Sequence, residues 1–279
     1  MACCDGDTPT PANRLVKFVE KLRGDDFEWV ELSHELSPET PHWVGFKPFH
    51  QVEQPLNYPD GCKADAYYIV SQYGTHIDAP VHFVPGARPL NEIPVRDTMM
   101  PLFVINVSDK VRANADYELT VADIEEFEAK YGKIPAGAFV AMRSDWSVDH
   151  ADDYENNDAD GNPHYPGWSL DALKLLLEDR KVTAIGHEPT DTDAPGAGHG
   201  WDGELYVLKQ DHYQIEVMRN LDKVPPAGAI ISCTWPNVTG GVGFSARCIA
   251  IFPKELKPSC GCGCSEEKPA EGKGCCCEG

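Results

Sequence analysis

Residues 72–82 read QYGTHIDAPVH and form the densest cluster of chemistry-bearing side chains in the chain. Side chains alternate with period two in extended backbone, so positions of one parity share a face. Gln72, His76, Asp78 and His82 have that common parity. Imidazole and carboxylate groups are N/O ligands that suit Zn, Mn or Fe(II). The stretch therefore predicts a divalent-metal site, and the alternative is a polar turn whose imidazoles bond to the backbone.

The segments around this cluster alternate between short apolar runs and helical patterns without a strict order. This mixture predicts an α/β domain with a mixed sheet rather than a doubly wound parallel one. Thr120 and Ser169 are suited to be helix N-caps. The stretch 38–59 is rich in Pro and aromatic residues and is expected to be irregular. Helices are predicted over 14–23, 120–131 and 169–181, and strands over 28–34, 64–71, 101–107, 137–143, 182–186, 228–235 and 247–252.

Composition excludes several classes of partner. The chain has 279 residues and a formal charge of −21, which disfavours binding to nucleic-acid phosphates or an anionic membrane. It has no run of about 18 apolar residues of the kind that spans a membrane. The start shows no apolar core of signal-peptide length. We therefore expect a cytoplasmic protein whose partner is a small molecule.

The cysteines lie mostly at the two ends of the chain. Of 11 cysteines, two follow the N-terminus and six crowd the last twenty residues. We predict a flexible tail over 1–13, one folded domain over 14–257 and a disordered Cys-rich tail over 258–279. Clustered thiolates bind soft metals. The Cys-rich tail is thus a candidate metal-binding arm, with cross-linking, lipid modification and a dispensable tail as alternatives.

The motif of residues 72–82 resembles the HxGTHxDxPxH signature of the metal-dependent cyclase family, which includes bacterial kynurenine formamidases and isatin hydrolases. The similarity extends to VELSHELSPETPHW, PGWSLDALKLLLEDRKVTAIG and IEVMRNLDKVP, and spans about residues 28–252. It implies a swivelling β/β/α fold in a single domain. It also implies assembly as a homo-dimer or homo-tetramer.

The resemblance also implies roles for single residues. It carries His76 and Asp78 over as metal ligands and His82 as the acid/base residue. Glu216 falls on a glutamate of the family that holds a second metal or orients the attacking water. The substrate pocket is expected to be lined by aromatic residues that could equally be ordinary core residues, namely Trp43, Phe46 and Trp146.

Three positions depart from the family pattern. Gln72 stands where the family has a ligand His, Glu204 where it has another His, and His187 where it has Asp. A neutral amide oxygen is a harder ligand than imidazole and favours Mn or Fe over Zn. We therefore predict a ligand set that includes Gln72 and His187. It would hold one or two ions of Mn, Zn or Fe per chain, and Glu204 in place of the His favours one. For His187 the alternative is a satisfied histidine at a strand end.

The family likeness implies a metal-dependent hydrolase that opens an amide, lactam or lactone bond of a small molecule. An aromatic molecule is among the expected substrates. A metal-activated water would attack the carbonyl carbon. One alternative is a lyase or dehydratase with the same metal and acid/base residue. The other is a non-catalytic metal-binding protein in which the Cys-rich tail holds the metal.

Overall fold

Thirteen strands and six helices make up the described chain, which in this computed structural model covers residues 11–258. The strands are β1 (Phe27–Glu31), β2 (His50–Leu56), β3 (Ala64–Tyr68), β4 (His76–Asp78), β5 (Met99–Asn106), β6 (Glu118–Leu119), β7 (Phe139–Arg143), β8 (Gly167–Trp168), β9 (Ala184–His187), β10 (Tyr213–Glu216), β11 (Ala229–Thr234), β12 (Gly243–Ser245) and β13 (Arg247–Pro253). The helices are α1 (Pro11–Leu22), α2 (Ser108–Ala113), α3 (Val121–Tyr131), α4 (Trp146–Asp149), α5 (Leu170–Lys174) and α6 (Asp202–Lys209).

Nine of these strands form one mixed sheet in the order β1-β13-β11-β5-β7-β9-β10-β4-β12. The four central strands, β5, β7, β9 and β10, are parallel to one another. The outer strands on both sides join them in antiparallel pairs. The predicted single mixed α/β domain is confirmed.

The sheet separates two hydrophobic clusters because alternate residues of each strand face opposite sides. In β7, Phe139 and Ala141 belong to one cluster, and Val140 and Met142 belong to the other. Helices α3, α5 and α6 cover the second cluster. The functional motif lies at β4, where Ile77 faces the first cluster. His76 and Asp78 therefore face the opposite side.

Two local features differ from the sequence-based expectation. The stretch 38–59 is not wholly irregular, because β2 pairs with β3 in a separate antiparallel ribbon. Every residue of β2 is exposed, so no alternation of apolar and polar residues marked it. The helix predicted over 169–181 is capped by Ser169 as expected, but it widens into a π-turn over Leu175–Asp179.

The two predicted tails lie mostly outside the described residues. Helix α1 begins at Pro11, three residues before the predicted helix, and this corrects the boundary of the tail over 1–13. Proline is well tolerated in the first turn of a helix, where its missing N–H would be unpaired. The Cys-rich tail over 258–279 falls, except for Pro258, beyond the part of the chain that the structure describes. Within residues 11–258, no helix has the length and apolar character needed to cross a bilayer.

Helix α3 begins with a reciprocal cap between Thr120 and Asp123. The Thr120 hydroxyl accepts from the Asp123 N–H at 3.4 Å, and the Asp123 carboxylate accepts from the Thr120 N–H at 2.7 Å. We expect Thr120→Ala to lower the free energy of unfolding by about 1 kcal/mol, because it removes a side-chain cap. Urea denaturation measures this change. Thr120→Ser is the matched control, and an equal loss in Thr120→Ser would contradict the capping role.

Candidate active site

Strand β4 lies between β10 and β12, and this placement brings the site together. In the register, His76 is opposite Glu216, and Asp78 is opposite Gln214. All four side chains point to the same side of the sheet, because the intervening Ile77 and Ile215 point into the first hydrophobic cluster. The short strand thus converts a sequence motif into a cross-strand cluster of polar groups.

The other neighbour of β4 approaches it very closely. Gly243 of β12 is opposite Asp78. A Cβ atom at Gly243 would stand 2.3 Å from the Ile77 carbonyl oxygen and 3.2 Å from Asp78 Oδ1. Only glycine leaves room there. The glycine therefore allows β12 to pack against the functional strand.

Three donor atoms converge at the centre of the cluster. His76 Nε2 lies 3.4 Å from Asp78 Oδ2 and 3.4 Å from Glu216 Oε2. His76 Nδ1 is 2.9 Å from the Gly74 carbonyl oxygen, which can only accept. Nδ1 therefore carries the proton, and the lone pair of Nε2 faces the two carboxylates in the neutral ring. Ligand atoms of His76, Asp78 and Glu216 all lie within 4.8 Å of one another.

His82 occupies the outer side of this cluster. Pro80 opens the 3₁₀ turn Pro80–His82 directly after the strand, and the turn places His82 Nε2 3.9 Å from Asp78 Oδ1. The Gln72 amide nitrogen lies 3.1 Å from His82 Nδ1 and 3.4 Å from Asp78 Oδ1. Helix α6 brings Glu204 Oε1 to 4.0 Å from His82 Nε2. The predicted common face of residues 72, 76, 78 and 82 is present.

The cluster contains several carboxyl groups that are buried close together. Asp78, Glu204 and Glu216 are buried, and Asp191 comes close to the last two. Within residues 11–258, none of the four carboxylates is ion-paired with a lysine or arginine. Burial and the charge of Glu216 raise the pKa of Asp191 to about 8, and burial with Glu216 and Asp78 raises the pKa of Glu204. No lysine or arginine among the described residues therefore compensates these carboxylates.

Protonation of His76 supplies one positive charge beside the buried carboxylates. Burial disfavours protonation of His76, but Asp78 and Glu216 outweigh burial and raise its pKa well above the ordinary value. The same contact keeps the pKa of Asp78 below its ordinary value despite its burial. A divalent cation would replace this proton, since an imidazole must be neutral to act as a ligand. The donor set and its uncompensated charge fit a divalent metal.

His187 lies behind Glu216 rather than among the donor groups. Its Nε2 is 3.3 Å from Glu216 Oε1, and its Nδ1 is 3.3 Å from Trp168 Nε1. An indole N–H only donates, so Nδ1 accepts and the neutral ring carries its proton on Nε2. His187 Nε2 has no hydrogen-bond partner among the described residues, so its 3.3 Å approach to Glu216 Oε1 is a contact without a hydrogen bond. The assignment of His187 as a ligand stays a prediction.

Gln72 lies beside Asp78 and His82, and its side-chain amide can be oriented in two ways. Its Oε1 lies 2.6 Å from the Ser71 hydroxyl, while its amide nitrogen faces Asp78 and His82. A hydroxyl can donate or accept, so the opposite amide orientation would keep the Ser71 contact and turn the oxygen toward the site. The assignment of Gln72 as a ligand stays a prediction.

Sequence reasoning missed two members of the cluster, Asp191 and Gln214. Gln214 is completely buried, and its amide nitrogen donates to Glu216 Oε1 at 2.9 Å and to Asp78 Oδ2 at 3.4 Å. The Thr192 hydroxyl lies 2.7 Å from its Oε1. The available signal was the common parity of positions 214 and 216 in a strand, which places both on the face that carries the glutamate.

Three aromatic residues are predicted to bind substrate, and the structure places one of them in the core. Trp146 belongs to the core, because its ring is completely buried and its Nε1 donates to the Tyr154 carbonyl at 2.8 Å. This position corrects its assignment to the substrate pocket. Trp43 and Phe46 contact each other edge to face at 5.3 Å, and Trp43 is exposed. Their role stays a prediction.

Backbone strain is also present beside the site. Val217, which follows Glu216, has a φ of 54°, a region that a β-branched residue rarely adopts. Its carbonyl accepts from the Thr75 hydroxyl at 2.6 Å, and its N–H donates to the Pro189 carbonyl at 3.1 Å. Such strain persists only where surrounding contacts hold it, and it concentrates at functional sites.

Fold and site together are those of a metal-dependent hydrolase, and comparison with known proteins agrees. A family model described as "Putative cyclase" matches residues 30–194, and the chain belongs to this family. It is 34% identical over 191 residues to the isatin hydrolase of Roseibium aggregatum, an alignment that covers 65% of this chain and 72% of the relative.

Solved structures show the same relationship. Isatin hydrolase A from Labrenzia aggregata, bound to benzyl benzoate, has a TM-score of 0.80 and 30% identity, and the match covers 86% of this chain and 99% of that one. An isatin hydrolase bound to the product analogue thioisatinate has a TM-score of 0.79 and 27% identity, with 88% and 100% covered. The predicted cyclase-family membership and hydrolase class are confirmed.

A buried carboxyl next to His187 gives the stability a pH dependence. Glu188 accepts from the Ser144 N–H at 2.8 Å and from the Ser147 hydroxyl at 2.6 Å, and burial raises its pKa to about 7. Its folded pKa exceeds its unfolded pKa, so its contribution to stability is lost as pH rises from about 4.5 through 7.

As the pH rises from about 5 to 8, we expect the free energy of unfolding to fall less in Glu188→Gln than in the wild type. The difference should reach at most about 3 kcal/mol at the upper end, because each pKa unit corresponds to about 1.4 kcal/mol. Urea denaturation across this range measures it. Parallel pH profiles of the two proteins would contradict the assigned titration.

Proposed function

We propose that one divalent cation binds to His76 Nε2 and the Asp78 carboxylate, with Glu216 as the third donor. Three donor atoms within 4.8 Å of one another, on opposed strands, support this ligand set. One imidazole and two carboxylates suit Mn, Fe(II) or Zn. Gln214 would then orient Glu216, because its amide nitrogen donates to Oε1.

The reaction we propose is hydrolysis of the carbon–nitrogen bond in a cyclic amide. The observation that carries it is the placement of His82, an imidazole at the outer side of a buried donor set, where it can reach both water and substrate. The relatives that share the fold are called isatin hydrolases, and one was solved with a product analogue. Their activity supports a lactam or imide as substrate.

In this mechanism His76, Asp78 and Glu216 would hold the cation, which when bound would supply polarisation of the carbonyl and a more acidic water. His82 takes the proton from the attacking water and gives it to the leaving nitrogen, which suits an imidazole near neutral pH. The Gln72 amide, 3.1 Å from Nδ1, restrains the ring. The Glu204 carboxyl lies on the other side of the ring, with Oε1 4.0 Å from Nε2.

We expect His82→Ala to lower kcat on a cyclic amide by about 10²- to 10⁴-fold, the usual contribution of a general acid/base. Its metal content should stay unchanged, because the proposed ligands remain. In heavy-oxygen water the wild type should place the label in the product carboxylate. His50→Ala is the matched control, since His50 lies on the exposed ribbon strand β2.

Three outcomes would contradict the proposal. Full activity of His82→Ala would remove its acid/base role. A product that has lost water and carries no label would support the lyase alternative. Metal binding without turnover of any amide, lactam or lactone would support the non-catalytic alternative.

A further inference from the structure

Two cysteines lie opposite each other in the core of the sheet. In the pairing of β11 with β13, Cys233 is directly opposite Cys248. Both thiols are free, and both side chains are completely buried in the first hydrophobic cluster, on the side of the sheet that His76 and Asp78 do not face. The proposed reaction uses neither thiol, so this juxtaposition calls for a separate explanation.

The backbone hydrogen bonds show which kind of cross-strand pair the two cysteines form. The Cys248 N–H donates to the Ser33 hydroxyl at 2.6 Å, and the Cys248 carbonyl accepts from the Leu32 N–H at 2.8 Å. Both backbone groups of Cys248 therefore face the chain that follows β1 and turn away from β11. Cys233 and Cys248 thus form a non-hydrogen-bonded pair, the antiparallel arrangement in which facing side chains come closest.

The spacing of such a pair suits a disulfide. Facing Cα atoms of a non-hydrogen-bonded pair are about 4.5 Å apart, and Cα atoms joined through a disulfide are usually about 4.4 to 6.8 Å apart. The two thiols already share a hydrogen bond. Burial raises the pKa of Cys233 and the neighbouring Cys248 thiol raises it further, so the Cys233 thiol stays protonated at neutral pH.

A bond between the two sulfur atoms would close a ring that contains β12. Residues 234–247 lie between the two cysteines and include all of β12, where Gly243 is opposite Asp78. The same segment contacts the functional motif at Val242, whose carbonyl accepts from the Ala79 N–H at 2.9 Å. A disulfide would therefore fix both ends of the segment that packs against β4.

We propose that Cys233 and Cys248 are a site of reversible disulfide formation, with a peroxide as the oxidant. One thiol attacks a peroxide oxygen and becomes a sulfenic acid, and its proton leaves with the other oxygen as water. The second thiol then attacks the sulfenic sulfur, the S–S bond forms, and a second water leaves. Two thiols and one hydrogen peroxide thus give one disulfide and two waters, and the sulfur atoms lose two electrons to the peroxide. Local opening of the strand pair would admit this small oxidant.

Peptide mass spectrometry of the full chain tests the proposal. The folded protein is treated with hydrogen peroxide, the remaining thiols are alkylated in urea, and the chain is digested with trypsin. Cleavage after Lys223, Arg247 and Lys254 places the two cysteines on separate peptides, 224–247 and 248–254. We expect these peptides to be linked, with a mass two hydrogen atoms below their sum, and to separate after reduction with dithiothreitol.

A second arm removes the dependence on access to the core. The reduced chain is refolded from urea in a mixture of reduced and oxidised glutathione, which forms protein disulfides by thiol exchange. The linked peptides in either arm support the proposal. Their absence from both arms, with the two cysteines alkylated separately or joined to other cysteines, overturns it. Cys248→Ala should abolish the linkage, whereas Cys62→Ala is the control and should retain it, because Cys62 is exposed and outside both strands.

The ring also predicts a change in stability, measured on the chain refolded with glutathione. A disulfide that closes a loop of this length restricts the unfolded chain and should raise Tm by about 5 °C, and dithiothreitol should reverse the increase. Cys248→Ala refolded in the same way should show no such change, which separates this pair from the other cysteines of the chain. A linked protein whose Tm is unchanged or lower would overturn the proposal, because the native strands would then not accommodate the bond.

Discussion

The burial of uncompensated carboxylates is the constraint on which the rest of the site depends. Asp78, Glu204 and Glu216 are removed from water, Asp191 lies against them, and in the described chain only imidazoles stand near as possible cations. Burying a charge is costly unless an opposite charge compensates it. A bound divalent cation would compensate the negative charge of the buried carboxylates.

Three short strands, β4, β10 and β12, make this arrangement possible. Strand β4 contributes only three residues, but β10 and β12 fix it on both edges, and Gly243 allows the second approach. The strained Val217 then turns the chain immediately after Glu216. The parallel strands and their helices supply the rigid frame from which these segments extend.

The sequence predicted what local periodicity can encode. His76 and Asp78 share one face because β4 is extended, and α3 begins at its predicted cap. Strand β2 was not predicted, because all its side chains are exposed and no apolar alternation marks it. Trp146 was assigned to the substrate pocket although it lies in the core, because the burial of a side chain depends on contacts that are distant in sequence. The contact of His187 with the indole of Trp168 joins residues nineteen positions apart, and no pattern in the sequence links them.

Thermal unfolding of the full chain in chelator, and after addition of Mn²⁺, tests the central claim most directly. A ligand that binds only the folded state stabilises it, so Mn²⁺ should raise Tm of the wild type. Asp78→Asn should lose this increase, because it removes a donor and one negative charge. An unchanged wild-type Tm, or an equal increase in Asp78→Asn, would contradict the account, and the second result would move metal binding away from β4.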